Sequence, residues 1–251
     1  MSRFSAFLVS ALILSAPAQA QTDWVGLAKS VLNPQTETGT ASSTTIAPGL
    51  SNDKIAAGLK EALNISAKKV VTQLGKEGGF ALDPKIRIPL PAPLAKADHA
   101  LKKIGMGALT EDLEARMNRA AELATPKARD LFVDAIKQMT LKDARSILSS
   151  QQDAATVYLR KTMGKQLEAD MKPIVSKTLS DAGAVRAYDQ VSGQYAQLPF
   201  VSGLKTNMND YVATKAVDGI FYYVAQEEAA IRKNPAKRTT ELLKTVFGAV
   251  R

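Results

Sequence analysis

The chain has 251 residues, 45% of them hydrophobic, with no cysteine and a single histidine. The missing thiols exclude disulfides, thiol nucleophiles, thiolate zinc sites and iron–sulfur clusters, so the fold must rest on its hydrophobic core. Thirty-three Lys and Arg residues against 24 Asp and Glu give a net charge of +9, which favours anionic surroundings such as lipid headgroups, lipopolysaccharide or cell-wall polymer.

Residues 1–20 have the order of a secretory signal peptide: Arg3, an apolar run from Phe4 to Ala16, Pro17, and the small-x-small tripeptide Ala18-Gln19-Ala20. The apolar run is well short of the roughly 20 residues that a bilayer-spanning helix needs. Cleavage after Ala20 and a periplasmic location are therefore expected. No later run is long and uncharged enough to span a membrane.

Residues 21–50 are expected to form a short amphipathic helix and a linker. Asp23 is placed as an N-cap, and Trp24, Leu27, Ala28, Val31 and Leu32 share one helical face. Trp24, Leu27 and Val31 are the candidate partner-docking residues. Asn33 to Gly49 is rich in Thr, Ser, Pro and Gly and reads as a flexible linker reaching roughly 20–25 Å.

Residues 51–251 read as a single all-α, multi-helix bundle-like domain. Ser51 caps a long helix carrying Ile55, Leu59, Leu63, Val70 and Leu74, which Gly75 closes. Residues 84–93 form a short extended segment, because Pro89, Pro91 and Pro93 forbid both a helix and a central strand. Ile86, Ile88 and Leu90 alternate with Arg87 and Pro89, so one face of this segment is buried, and it is the only candidate strand. Helices then follow from Leu94, punctuated by Gly105-Met106-Gly107. Thr110 opens one, Thr125-Pro126 another, the capping box Thr140–Asp143 a third, and Asp153 a fourth that Pro173 kinks or divides. Gly183 ends that run. A final pair is expected over Asp210–Arg232 and, behind Asn234, over Pro235–Phe247.

Several stretches resemble the DUF4197 family of bacterial proteins of unknown function. They include Leu50-Ser51-Asn52-Asp53, Gly58-Leu59-Lys60-Glu61-Ala62-Leu63, Ile86-Arg87-Ile88-Pro89-Leu90-Pro91 and Met117-Asn118-Arg119-Ala120-Ala121-Glu122. Phe132 to Lys137, Lys172-Pro173-Ile174-Val175 and Asp210-Tyr211-Val212 with Ala216 to Gly219 continue the match in order, from about Leu50 to Gly248. The resemblance implies an exported helical protein and assigns no activity.

Catalytic grammar is sparse. His99 stands alone beside Asp98, so zinc sites built on histidine and the usual di-iron bundle are excluded. Gly75-Lys76-Glu77-Gly78-Gly79 lacks P-loop spacing. The acids Glu111, Asp112, Glu114, Glu122, Glu227 and Glu228 sit in helix patterns beside Lys or Arg, where solvated faces and capping account for them. No catalytic residue, metal ligand or cofactor is assigned, and no specific nucleic-acid binding is expected.

The ligand-binding candidates are Arg87, Asn118, Arg119, Glu122, Lys127 and Asp134. Arg119 and Glu122 are helical neighbours able to pair. The favoured reading is an ion-paired junction holding the Thr125-Pro126 turn, and the functional one is a polar pocket where Arg119 or Arg87 receives an anion. A second basic feature is the tail, where Arg232, Lys233, Lys237, Arg238, Lys244 and Arg251 face only Glu241. The sequence thus points to an exported, non-enzymatic helical protein that engages an anionic envelope component or a protein partner. The alternatives are a hydrolase whose acids converge in the fold, and a carrier of a small apolar ligand between helices.

Overall fold

The computed structural model describes residues 50–199 and 204–249. The expected leader, the expected helix at Trp24 with the candidate docking residues Trp24, Leu27 and Val31, and the expected linker lie outside them. Among the described residues the fold is all-helical, with no strand.

Helix α1 (Asn52–Leu74) is the central element. The Ser51 hydroxyl accepts from the Lys54 N–H at 3.3 Å, and Ile55, Leu59, Leu63, Val70 and Leu74 are all buried. After α2 (Ala92–Lys103) and α3 (Ala108–Ala124), a 3₁₀ turn over Thr125–Ala128 containing Pro126 leads directly into α4 (Arg129–Lys137). Helix α5 (Leu141–Leu148) opens on the expected capping box, with Asp143 N–H donating to Thr140 Oγ1 at 3.3 Å. Helices α6 (Ala154–Asp181), α7 (Ala184–Ala196), α8 (Met208–Lys233) and α9 (Glu241–Gly248) complete the chain. Helix α1 packs against α4, α5, α8 and α9, while α6 lies along α8 and α3.

Three boundaries differ from expectation. Pro173 does not divide its helix, which runs unbroken through it for 28 residues. Pro93 belongs to the first turn of α2, where a missing N–H costs nothing, and residues 84–86 form a turn in which Ile86 and Arg87 N–H donate to Asp83 O at 3.2 and 2.8 Å, so the extended segment expected over 84–93 covers only 87–91. The helix expected over Pro235–Phe247 is split: a 3₁₀ turn at Pro235–Lys237 is capped by Asn234, and α9 starts afresh behind Thr240, whose hydroxyl accepts from Leu243 N–H at 3.2 Å. Between them Arg238 folds back, donating to the carbonyls of Ile231 at 3.1 Å and Arg232 at 2.8 Å.

The start of α6 shows how buried charge organises this core. Asp153 occupies the N-cap position without making a side-chain cap bond. Glu228 of α8, 1% exposed, does so instead, accepting from Ala155 N–H at 3.1 Å, Thr156 N–H at 2.8 Å and Thr156 Oγ1 at 2.7 Å. Arg232, one turn on, pairs with Glu228 at 2.9 Å and donates to the carbonyls of Leu148 and Ile147 at 3.2 and 3.1 Å. One ion pair thus satisfies the open N-terminus of α6 and the open C-terminus of α5, with charge signs matching both helix dipoles. Arg232 and Arg238 are therefore spent on backbone, and the basic tail offers solvent fewer cations than its sequence suggests.

Candidate functional site

The site is built around residues 76–91, an irregular segment laid across α3 and α8. Its alternating pattern is realised, with Ile86 and Ile88 buried and Arg87 and Pro89 exposed. Yet no strand pairs with it. The Asn118 amide takes the place of a neighbouring strand, accepting from Ile88 N–H at 2.9 Å and donating to Ile88 O at 2.8 Å. Its Nδ2 also reaches Glu114 O at 2.9 Å. One turn along α3, Glu122 accepts from Phe80 N–H at 3.2 Å and Ala81 N–H at 3.3 Å. Both residues are 1% exposed. Burying backbone groups requires partners of this kind, since each lost one costs about 1–3 kcal/mol.

Helix α8 holds the same segment from the other side. Tyr211 donates to Pro89 O at 3.0 Å, and the Tyr223 hydroxyl donates to Asp83. The Asp83 hydrogen bond pushes the Tyr223 phenol up to about 12. Burial, with a contribution from Glu114, raises that of Tyr211.

The segment acts as a wedge between two clefts. On one side, a cleft of about 480 Å³ opens between residues 85–89, the start of α6 and the middle of α8. Four cations, Lys85, Arg87, Arg160 and Lys215, line it together with two acids, Asp153 and Asp218. Arg87 pairs with Glu114 at 2.7 Å, and Arg160 pairs with Asp218 while lying 5.5 Å above the Phe221 ring. Lys85 and Lys215 have no carboxylate partner among the described residues, although Lys215 stands 6.0 Å from the Tyr211 ring. Apolar lining comes from Ile86, Pro89, Val157 and Tyr222, and Val157 is 54% exposed. On the other side of the wedge, a second cleft of about 450 Å³ lies beside Leu82, Arg116 and Arg119.

The candidate residues therefore separate into three groups. Asn118 and Glu122 are buried pins for the wedge, with Arg119 pairing to Glu122 at 3.2 Å and facing the second cleft. The junction does not hold the Thr125-Pro126 turn as the favoured reading had it; Glu122 holds Phe80 and Ala81, while Thr125 bonds its own helix at Ala121 O. Arg87 lines the first cleft. Lys127 is exposed on the 3₁₀ turn and Asp134 pairs at the surface with Lys137 at 2.9 Å; neither lines these clefts. His99 is exposed on α2, and no group of three or more potential metal ligands occurs among the described residues. Lys85 and Lys215 are not singled out by sequence, and Glu228 and Arg232 stand out there only as an acid on a solvated or capping face and as part of the basic tail. For Glu228 a signal existed: it falls in the apolar row Phe221, Val224, Ile231 of α8, where an acid must have a partner.

No helix among the described residues is long and apolar enough to cross a membrane. The family model for DUF4197, a protein of unknown function, matches residues 49–248, and the chain belongs to that family. No curated protein and no solved structure matches it.

Proposed function

We propose that this DUF4197 member is an exported, non-enzymatic binding protein that takes an anionic amphiphile of the cell envelope into the cleft between residues 85–89, α6 and α8. The observation that carries this reading is the pairing of lining types there. Lys85 and Lys215 line it without an ion-pair partner among the described residues, beside exposed apolar surface at Val157 and Tyr222, and the cleft's four cations outnumber its two acids, Asp153 and Asp218. Arg87 and Arg160, already paired, set a basic rim. Cations around an apolar floor match a ligand with a negatively charged head and a hydrocarbon part.

The two buried acids are not available for hydrolysis. A pair of catalytic carboxyls needs oxygens free to meet a substrate. Those of Glu122 and Glu228 are occupied by backbone N–H groups and arginines. Export rests on residues 1–20, and the first residue of the protein recovered from a periplasmic fraction should be Gln21.

Sedimentation with phosphatidylglycerol vesicles, and with phosphatidylcholine vesicles as the neutral control, tests the ligand class. Retention on the anionic vesicles should weaken between 0.05 and 0.5 M salt, roughly as the screening length shortens. Equal retention on both lipids, or at both salt concentrations, would remove the proposal.

A further inference from the structure

The second cleft has a different chemistry, and we infer that it is a receptor for an aliphatic monocarboxylate, a site independent of the basic cleft. Two guanidinium groups line it from successive turns of α3. Arg116 is fixed at two of its nitrogens, Nε to Asp112 Oδ2 at 2.7 Å and Nη1 to Ala182 O at 2.9 Å. Arg119 is anchored through Nη1 to the buried Glu122. In each case part of the planar donor fork remains open, and a fixed fork loses little freedom when it takes a carboxylate.

Glu122 does not cancel Arg119 completely. Its Oε1 is shared by the Phe80 and Ala81 N–H groups, so its charge is spread over three donor groups. The lining has two arginines against Glu77 and Glu122, with Asp112 paired to Arg116, so a ligand is held by the open N–H donors of the two forks rather than by surplus positive charge, and it can carry one negative charge at most. A dianionic phosphate would meet Asp112, Glu122 and Glu77 at once, whereas a monocarboxylate meets the same two forks with half the repulsion.

The apolar part has its own surface. Leu82 is 84% exposed and lines the cleft with Ala81, Ala115 and Ala182. Two glycines keep this arrangement open. Gly183, at φ +74°, would place a Cβ 2.6 Å from Arg116 Nη1, and Gly78, at φ +78°, would place one 2.7 Å from Leu82 Cδ1. Any other residue at either position would strain the backbone and displace the cationic or the apolar wall.

Octanoate is the probe, titrated into the full chain and followed by amide chemical shifts and calorimetry, with octanol and acetate as controls. Octanoate should shift Gly78, Leu82, Ala115 and Ala182 and bind about tenfold or more tightly than either control. Leu82→Ser and Arg116→Gln should each weaken it by about tenfold, and Glu77→Gln should tighten it. Leu82 is so exposed that its substitution leaves the fold intact, which keeps the test decisive if Arg116→Gln does not fold. Octanol binding as tightly as octanoate would overturn the inference, as would shifts confined to other residues or an unchanged affinity in Leu82→Ser.

Discussion

Asn118 and Ile88 are paired through both backbone groups of Ile88, N–H to Oδ1 at 2.9 Å and O to Nδ2 at 2.8 Å, so one side-chain amide replaces an adjacent β-strand. The relationship fixes where Arg87 and Pro89 emerge, and with them one wall of the basic cleft. Removing the amide with Asn118→Ala strands two buried backbone groups, and urea unfolding should show a loss of about 2–4 kcal/mol. Asn118→Asp should do no better, because it keeps the acceptor for Ile88 N–H while setting a negative charge against the carbonyls of Ile88 and Glu114.

The Glu228–Arg232 pair should be the costliest ion pair to break. Arg232→Met leaves Glu228 charged and buried and uncovers the last carbonyls of α5, so a loss of about 3–5 kcal/mol is expected in thermal or urea unfolding. The surface pair Lys137–Asp134 provides the contrast. Asp134→Asn should change stability by less than about 0.5 kcal/mol.

Two tyrosines set the alkaline limit. Asp143 and Asp83 accept the hydroxyls of Tyr158 and Tyr223 and raise each phenol from 10.0 to about 12. A raised folded-state value means that the stabilisation is complete below about pH 10 and is lost as the pH climbs towards 12. Absorbance titration should show a late tyrosinate step that Tyr158→Phe and Tyr223→Phe each reduce.

At the acid end the sign reverses. Hydrogen bonds from Thr140 and Tyr158 hold the Asp143 carboxyl below its ordinary 3.8. Burial works against ionisation at Asp98, but the hydrogen bonds from Thr110 and Lys102 outweigh it, so it too is lowered. Their contribution is present above about pH 3.8 and disappears as the pH falls through the lowered values. Thr140→Ala should therefore make acid unfolding begin at a higher pH.

Much of the helical frame can be read locally. Ser51 and the row from Ile55 to Leu74 specify α1 because cap and periodicity lie within one segment, and Thr140–Asp143 does the same for α5. The break at Arg238 was missed because its cause is a side chain reaching back to Ile231 and Arg232, although Thr240 before Glu241 is a visible cap. The candidate site was half legible. Asn118, Arg119 and Glu122 form a polar cluster in the second half of α3, but the wedge backbone groups that Asn118 and Glu122 hold lie 30 to 42 residues away and follow no local rule. Nothing in the local sequence distinguishes Lys85 and Lys215 from other lysines, and only the fold places them in one cleft.

The basic cleft is tested most directly by the affinity of the full chain for lysophosphatidylglycerol, with lysophosphatidylcholine as control and both kept below their micelle concentrations. The doubly substituted Lys85→Gln, Lys215→Gln protein should retain its fold, since neither side chain has a carboxylate partner among the described residues, and should bind the anionic lipid at least about tenfold more weakly. An affinity unchanged by the double substitution, or a wild-type protein that does not distinguish the two lipids, would contradict the account.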